Sequence, residues 1–211
     1  MAVTESVLLI ATNNQHKVSE FRRLLRDMPC RLVTPRDVSL ELDVEEDGVT
    51  FAENAAKKAR AFAAASGLLS LADDSGIEVD ALDGRPGVYS ARYGGPELLD
   101  EGRVQLMLKE LENVPDVQRG CRYVAVIAIA WPDGRIEQFE GTCEGRVASE
   151  PSGANGFGYD PVFYVSSEDA TMAEIPSEAK DRISHRGIAV RKAADSLRRA
   201  ITNSNTARID A

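Results

Sequence analysis

The sequence has few of the residues that build metal clusters or disulfide frameworks. Its 211 residues include only three cysteines and two histidines. Cys30, Cys121 and Cys143 are far apart in the chain, and no CxxC pair occurs. A structural zinc site needs closely spaced ligands, and a disulfide framework needs an even number of cysteines. We therefore expect neither, and free cysteines are typical of a protein in the reducing cytoplasm.

Long hydrophobic runs are missing as well. Residues 1–6 carry no Lys or Arg, and the apolar run at residues 7–11 is too short for a signal peptide. No stretch approaches the ~18 consecutive apolar residues that a membrane-spanning helix needs. From these features we expect a cytoplasmic protein that has no membrane partner.

The chain also lacks a positive net charge. Lys and Arg total 25 against 34 Asp and Glu, which gives a formal net charge of −9. Sequence-independent binding to DNA or RNA requires a basic face, so we expect no nucleic-acid partner. A single nucleotide is a different case, because a local group of cations together with a metal ion is enough to bind it.

Short apolar runs alternate with segments of helical periodicity in the first half of the chain. Residues 7–11 predict a buried strand, and the apolar residues after it recur at helical spacing until Pro29. Thr50 and Glu53 form a capping-box pattern before an alanine-rich helix that Gly67 should end.

The second half favours longer strands. Residues 122–131 and 135–143 are separated by a Pro-Asp-Gly turn and predict a hairpin. Residues 187–201 predict a terminal helix, followed by a frayed tail at 202–211. With no linker or repeat in sight, we expect one domain over residues 1–211, of the α/β class, with a mixed central sheet flanked by helices.

A polar turn, TNNQHK at residues 12–17, lies between the first strand and the next helix. Backbone N–H groups at a helix N-terminus point outward and carry partial positive charge, which favours phosphate. Lys17 would add a full charge. The turn lacks the GxxxxGK[ST] pattern of a P-loop, so the alternative is that these side chains only cap the helix.

Two acidic segments are candidates for a metal site. The DDSG sequence at residues 73–76 follows an apolar run, and its adjacent acids face the same side only if the strand breaks at Gly76. Glu45 and Glu46 belong to an acidic loop. Mg²⁺ prefers one or two carboxylates, with water and phosphate oxygens as its other ligands. The alternative for both segments is a solvated turn or face.

The glycine-rich segment at residues 153–161 could approach a flat ligand closely. Phe157 or Tyr159 could stack on a base, and Asp160 could accept hydrogen bonds from ring nitrogens. The alternative is a tight loop with core aromatics. The SHRG sequence at residues 184–187 is either a helix cap with a surface cation or a cluster of donors aimed at a base or phosphate.

Six motifs taken together are far more specific than any one of them. They occur in the order TxNxxKxxEF at residues 12–21, TFxEN at 50–54, ADDSG at 72–76, GxPGxYSAR at 84–92, GFGYDP at 156–161 and SHRG at 184–187. In this order and spacing, the chain resembles the non-canonical purine nucleoside triphosphate pyrophosphatases, the inosine triphosphate pyrophosphatase or Ham1-like family. The resemblance extends over nearly the whole chain.

The resemblance implies an elongated fold with two lobes that flank a cleft, and a homodimer. It also implies Mg²⁺-dependent hydrolysis of inosine, deoxyinosine and xanthosine triphosphates to monophosphate and pyrophosphate. Asp74 matches the family's general base and metal ligand, and Glu46 matches its acidic partner, with Glu45 as the alternative. The matched substrate contacts are Thr12, Asn13, Asn14, Gln15, His16, Lys17, Lys58, Ser75, Phe157, Gly158, Tyr159, Asp160, Lys180, His185 and Arg186. Asn13 stands where many relatives have glycine.

Two other functions stay open at this point. One is a purine nucleotide-binding module without turnover, which would lack an effective metal carboxylate. The other is a pyrophosphatase of related shape that acts on modified pyrimidine nucleotides. Only the resemblance favours a purine, because composition does not separate the two substrate classes.

Overall fold

The computed structural model describes residues 6–206, with side chains described as far as Thr202. Within this part the strands are β1 (Val7–Ile10), β2 (Arg31–Val33), β3 (Leu69–Val79), β4 (Gly120–Ala130), β5 (Ile136–Val147), β6 (Phe163–Val165) and β7 (Ala170–Thr171). The helices are α1 (Gln15–Leu24), α2 (Phe51–Ser66), α3 (Asp100–Glu110), α4 (Ser177–Ile183) and α5 (His185–Thr206).

All seven strands form one sheet in the order β2-β1-β3-β4-β5-β6-β7. β1 pairs in parallel with both β2 and β3. At the other end of the sheet, β6 pairs in antiparallel fashion with β5 and β7. The predicted class, α/β with a mixed sheet flanked by helices, is confirmed.

The first two connections between strands run in opposite directions along the strand order of the sheet. From β1 the chain passes through α1 to β2, and from β2 it passes through α2 to β3, on the far side of β1. Parallel crossovers are right-handed, so two helices that connect strands in opposite directions lie on opposite faces. α1 and α2 therefore cover the two faces of β1 and β3, which are accordingly buried along nearly their whole length.

α2 begins and ends where the sequence predicts. The hydroxyl of Thr50 accepts the N–H of Glu53 at 3.1 Å, and the carboxylate of Glu53 accepts the N–H of Val49 at 2.7 Å. At the other end, Gly67 adopts a left-handed φ of 67° and its N–H closes the last turn.

β3 runs without interruption through the acidic segment, so the break at Gly76 that would let both acids face the same side does not occur. Successive side chains of a strand point to opposite faces, and Asp73 and Asp74 therefore diverge. Gly76 is required for a different reason. A Cβ atom there would lie 2.3 Å from the hydroxyl oxygen of Ser90 and 2.5 Å from the carbonyl oxygen of Gly87.

Helix ends are where the structure departs most from the sequence-based expectation. α1 ends at Leu24, before Pro29, and residues 25–30 continue as turns. α4 was not predicted, because a seven-residue helix is too short for periodicity to reveal. α5 begins at His185 and extends to Thr206, past the predicted end at residue 201, and residues 207–211 lie outside the described part.

Contacts between residues divide the chain into two compact units. Unit 1 takes the described residues up to Asp74, residues 126–140 and those from Ala189 onward, and unit 2 takes residues 75–125 and 141–188. Unit 2 has its own apolar core, which includes Ile77, Met107 and Phe163. The single domain and the cleft stay predictions. In the part of the chain that is described, no helix is long and apolar enough to span a membrane.

The close approach at Gly76 predicts a stability difference between two Gly→Ala variants. Gly76→Ala should lower the free energy of unfolding by about 2 kcal/mol, because the new methyl group meets backbone and a buried hydroxyl. Gly102→Ala is the control. It lies within α3 and meets only the flexible side chain of Leu98, so stability should stay the same or rise by up to about 1 kcal/mol. Urea unfolding of both variants provides the measurement, and equal losses would contradict the packing argument.

Candidate active site

The polar turn after β1 caps the helix that follows it. Asn14 Oδ1 accepts the N–H groups of His16 and Lys17, at 2.9 and 3.2 Å, and Thr12 Oγ1 accepts the N–H of Asn14 at 3.2 Å. Capping by Asn14 is thus confirmed, while phosphate binding by the turn stays a prediction. The exposed residues of the turn are Asn13, Asn14, Gln15 and His16.

Lys17 is anchored by the first of the two buried acids. Its Nζ lies 3.2 Å from Asp73 Oδ2, and the side chain of Asp73 is fully buried. The last register pair between β1 and β3 joins Ile10 to Leu71, so β3 extends beyond the end of its neighbour. Asp73 comes two residues after that pair, which brings its carboxylate to the start of α1.

Asp74 points to the opposite face, where α2 supplies its partners. Asn54 Nδ2 donates to Asp74 Oδ2 at 3.0 Å, and Lys58 Nζ lies 3.7 Å from Asp74 Oδ1. Asn54 and Lys58 are four residues apart and therefore share one face of the helix. The fully buried Asn54 also accepts the N–H of Gly48 through Oδ1, at 2.8 Å, so its amide orientation is fixed from both sides.

Lys58 joins two carboxylates. Its Nζ lies 2.6 Å from Glu46 Oε1 and 3.7 Å from Asp74 Oδ1. Glu46 is half-buried, whereas Glu45 is exposed. Of the two alternatives that the sequence left open, the geometry therefore favours Glu46 as the acidic partner of Asp74.

The electrostatics of this cluster raise the pKa of both Asp74 and Lys58, for different reasons. Burial raises the pKa of Asp74 above its ordinary value, and Glu46 adds to the rise, although Lys58, Lys17 and Asn54 act against it. Burial lowers the pKa of Lys58, but Asp74, Asp73 and Glu46 outweigh that effect and the pKa is raised. Lys58 therefore stays charged, and Asp74 is a stronger proton acceptor than a solvated carboxylate.

The acids of this cluster fit a metal ion that is shared with a ligand. In residues 6–206, no group of three or more His, Cys, Asp or Glu side chains is arranged to enclose a metal. The carboxylates of Asp74 and Glu46 nevertheless both lie close to one positive charge, the ammonium group of Lys58. Their oxygens are ligands of the kind that a hard metal ion prefers. Mg²⁺ is bound in this way, by one or two carboxylates, when phosphate and water complete its coordination.

In unit 2, the glycine-rich loop is organised around the carboxylate of Asp160. Asp160 Oδ2 accepts the N–H of Phe157 at 2.9 Å and the ammonium of Lys180 at 2.5 Å, and Oδ1 accepts the hydroxyl of Tyr123 at 3.2 Å. Gly156 has a φ of 75°, and a Cβ atom there would lie 1.9 Å from Asp160 Oδ2. The carboxylate thus holds the loop in shape, and direct contact between Asp160 and a base stays a prediction.

A group of cations and rings adjoins this loop. Arg186 is 2% exposed and donates from a terminal nitrogen to Ser75 Oγ at 2.8 Å. Its guanidinium lies 5.8 Å from the centre of the Phe157 ring, and Lys180 Nζ lies 5.3 Å from the same centre. His185 is the residue before Arg186 and opens α5. Three motifs, ADDSG, GFGYDP and SHRG, together with Lys180 therefore contribute to one part of unit 2.

The other predicted residues of the loop have structural partners. The N–H of Gly158 donates to Asp100 Oδ2 at 2.9 Å, and the hydroxyl of Tyr159 donates to the carbonyl of Ser90 at 2.9 Å. Tyr159 belongs to the apolar core of unit 2, as the alternative of a core aromatic predicted. Phe157 is half-buried, which makes it the better placed of the two rings for stacking.

Sequence reasoning missed three residues that support the site. Asn54 has a signal in the sequence, because it precedes Lys58 by four residues on a clearly predicted helix. Tyr123 has none, since a tyrosine in an apolar strand is typical of any core. Asp100 contacts the loop from 58 residues away, a distance that no local pattern reveals.

The fold and these residues define the class of protein to which the chain belongs. The chain is an α/β protein in which the polar turn at residues 12–17 follows the end of the parallel strand β1, the usual place for a ligand in such sheets. Residues 8–196 match the Ham1 family, so the chain belongs to that family.

Known relatives and structures agree with this assignment. The dITP/XTP pyrophosphatase of Desulforamulus reducens is 50% identical over 192 residues, which cover 91% of this chain and 96% of that protein. The dITP/XTP pyrophosphatase of Geobacter sulfurreducens is 47% identical over 190 residues, covering 90% and 96%. The solved structure of a HAM1 protein from Coxiella burnetii has a TM-score of 0.83 at 41% identity, covering 91% of this chain and 98% of that one.

The bond between Asn54 and Asp74 predicts a strong effect of a nearly isosteric change. Asn54→Asp replaces the donor with a second carboxylate, so the free energy of unfolding should fall by about 2–3 kcal/mol. Asn113→Asp is the control, because it makes the same change at an exposed position and should shift stability by less than about 0.5 kcal/mol. Both are measured by urea unfolding at neutral pH without divalent metal. Equal stability of the two variants would show that the bond contributes little.

Proposed function

We propose that this chain hydrolyses inosine, deoxyinosine and xanthosine triphosphates to the monophosphate and pyrophosphate, with Mg²⁺ as cofactor, and so removes them from the nucleotide pool. The observation that carries the proposal is the buried carboxylate of Asp74, held by Asn54 and neutralised by Lys58 beside Glu46. The relatives' name, dITP/XTP pyrophosphatase, supports the substrate class.

Asp74 is assigned as the general base. Hydrolysis of a triphosphate requires neutralised charge and a positioned water more than it requires covalent chemistry. Asn54 fixes one oxygen of Asp74, and burial makes the carboxylate a better proton acceptor for a water molecule. Mg²⁺, when bound by Asp74 and Glu46 together with phosphate oxygens, supplies the positive charge that stabilises the leaving pyrophosphate.

Lys17 and Lys58 are assigned to the triphosphate. Each is held by a buried acid, Lys17 by Asp73 and Lys58 by Asp74, so their ammonium groups are fixed before the substrate binds. The N–H groups of residues 12–17 at the start of α1 add partial positive charge. Ser75, the residue after Asp74, adds a hydroxyl donor. Together these groups offset the charge of three phosphates in a chain that is acidic overall.

The residues of unit 2 are assigned to the base. Hypoxanthine and xanthine carry a 6-oxo acceptor where adenine carries an amino donor. His185 and Arg186 offer donors, which pair with the oxo group and face another donor in adenine. Phe157 is assigned to stacking on the base, with Lys180 beside its ring. Gly158 and Asp160 give the loop its shape.

The two alternative functions make different predictions about turnover and substrate. A binding module without turnover would lack metal carboxylates, and both Asp74 and Glu46 are in place beside Lys58. A pyrophosphatase for modified pyrimidines keeps the same acids and differs only in the base it accepts. We further propose a cytoplasmic homodimer that has no nucleic-acid or membrane partner, as the sequence and the resemblance suggest.

A panel of nucleotides tests the proposed function. The purified chain is incubated with Mg²⁺ and with dITP, ITP, XTP, dATP, dGTP or dUTP, and the products are separated and quantified. We expect dITP, ITP and XTP to give monophosphate and pyrophosphate in a single step, and dATP, whose base lacks the 6-oxo acceptor, to give little product. Orthophosphate and a diphosphate as primary products would contradict the proposed cleavage, and preferential turnover of pyrimidines would favour the alternative enzyme. Full activity in excess chelator would remove the metal from the account.

Removal of the general base by substitution of Asp74 should abolish most of the turnover without unfolding the chain. Asp74→Asn is nearly isosteric, and we expect kcat for dITP to fall by at least ~100-fold, the usual scale for general-base assistance. Asp27→Asn makes the same change at a side chain that is 86% exposed, and its kcat should be unaffected. A folded Asp74→Asn variant with nearly normal turnover would leave Asp74 as a structural residue only.

Base selectivity should depend on the donors and not on the stacking ring. His185→Ala and Arg186→Ala should narrow the ratio of kcat/KM between ITP and ATP, because sites built on paired polar groups discriminate by ~10⁴ or more. Phe157→Ala should lower kcat/KM for ITP and ATP to a similar degree, since an aromatic ring can stack on any base. The measurement is kcat/KM for both nucleotides in all three variants. If the ratio of kcat/KM between ITP and ATP stayed unchanged in His185→Ala and Arg186→Ala but was lost in Phe157→Ala, these assignments would be reversed.

A further inference from the structure

The aromatic ring of Tyr123 lies between two other rings in unit 2. Its centroid is 4.2 Å from that of Phe163, with 20° between the planes, and 4.6 Å from that of His185, with 21° between the planes. Two rings cannot both stack this closely on the same face of a third. Phe163 and His185 therefore occupy opposite faces of Tyr123, and the three form a layered stack.

The backbone of the neighbouring strand limits the room around Phe163. Phe163 is fully buried, and a Cβ atom at Gly145 would lie 2.7 Å from two carbons of its ring. Phe163 thus packs directly against the glycine of β5, and its ring is enclosed by the core of unit 2. The position of the Tyr123 ring is consequently fixed from one face, and on the other face it determines the plane in which the imidazole of His185 lies.

The hydroxyl of Tyr123 has a separate task. It donates to Asp160 Oδ1 at 3.2 Å, while the other carboxylate oxygen holds the N–H of Phe157 and the ammonium of Lys180. Burial, followed by the charge of Asp160, raises the pKa of Tyr123 well above its ordinary value. The hydroxyl therefore keeps its proton, and it acts as a donor that orients the carboxylate.

We propose that Tyr123 is a positioning residue for base recognition, which sets the plane of His185 through its ring and the orientation of Asp160 through its hydroxyl. The inference rests on the proposed function of His185 and of the Phe157 loop, and it assigns Tyr123 no contact with the substrate. One buried side chain thereby links the donors at the start of α5 to the loop that presents the stacking ring.

Two substitutions separate the ring from the hydroxyl. Tyr123→Phe keeps the stack and removes the donor, so kcat/KM selectivity for dITP over dATP should stay within ~3-fold of the wild type, while KM for dITP rises by ~3-fold or more. Tyr123→Leu removes both, and the selectivity should fall by at least ~10-fold. Tyr164→Leu, at a tyrosine of β6 that hydrogen-bonds to Asp169, is the control and should leave the selectivity unchanged. Should Tyr123→Leu fail to fold, Tyr123→Met offers a longer and more adaptable side chain of similar volume and carries the same expectation.

A spectroscopic measurement tests the stack without any turnover. The chain has only two histidines, so its imidazole resonances are few, and those missing from His185→Gln identify His185. Stacking on Tyr123 should shift the ring protons of His185 upfield relative to those of the exposed His16. The shift should persist in Tyr123→Phe and disappear in Tyr123→Leu or Tyr123→Met.

The outcomes distinguish the two proposals. A wild-type chain that hydrolyses dITP and dATP equally well, with the His185 shift intact, would overturn the proposed function and leave the stack in place. A selective wild type whose folded Tyr123→Leu or Tyr123→Met variant keeps the full selectivity would overturn the role of the ring. An unchanged KM in Tyr123→Phe would overturn the role of the hydroxyl.

Discussion

Two consecutive carboxylates, Asp73 and Asp74, are buried in the continuous strand β3, and ionised carboxylates in the interior need cations and hydrogen-bond donors. Because neighbouring strand residues point to opposite faces, one helix cannot serve both acids. The opposed crossovers through α1 and α2 place a helix on each face, and each brings one lysine: Lys17 to Asp73 and Lys58 to Asp74. The same topology of residues 6–74 that builds the sheet therefore also pairs each buried acid with a lysine. Under the proposed function, a triphosphate with a divalent ion would replace these partners, the phosphates pairing with the lysines and the ion with the acids.

Unit 2 also contains a buried carboxylate, but its partners differ from those in unit 1. The buried carboxylate of Asp160 is satisfied by a lysine, a backbone N–H and the hydroxyl of Tyr123, and the result is a shaped loop. In unit 1 the acids belong to the proposed reactive cluster, whereas Asp160 holds the loop of Phe157, the ammonium of Lys180 and the hydroxyl of Tyr123 in place. This difference agrees with the proposed functions, in which Lys17, Lys58 and Asp74 act on the phosphates and His185, Arg186 and Phe157 recognise the base.

Much of the fold could be predicted from local patterns, as the capped helix α2 and the mixed sheet show. The continuity of β3 could not, because Gly76 resembles a strand breaker in sequence and only the approach of Ser90 and Gly87 reveals its packing role. The same limit applies to the candidate site. The resemblance implied Asp74 and Glu46, with Glu45 as the alternative, and the geometry that favours Glu46 depends on Lys58, which lies 12 residues farther along the chain. Tyr123 stayed hidden because its value comes from partners that are 37 or more residues away.

The central claim is that Asp74 and Glu46 form half of a metal site and that the triphosphate supplies the rest. Calorimetric titration of Mg²⁺ into the protein tests this most directly, with and without a dITP analogue that has a methylene group between its α and β phosphates. The account predicts weak binding of Mg²⁺ to the protein alone, distinctly tighter binding in the presence of the analogue, and loss of that gain in Glu46→Gln. Equal Mg²⁺ affinity with and without the analogue, or an undiminished gain in Glu46→Gln, would contradict it.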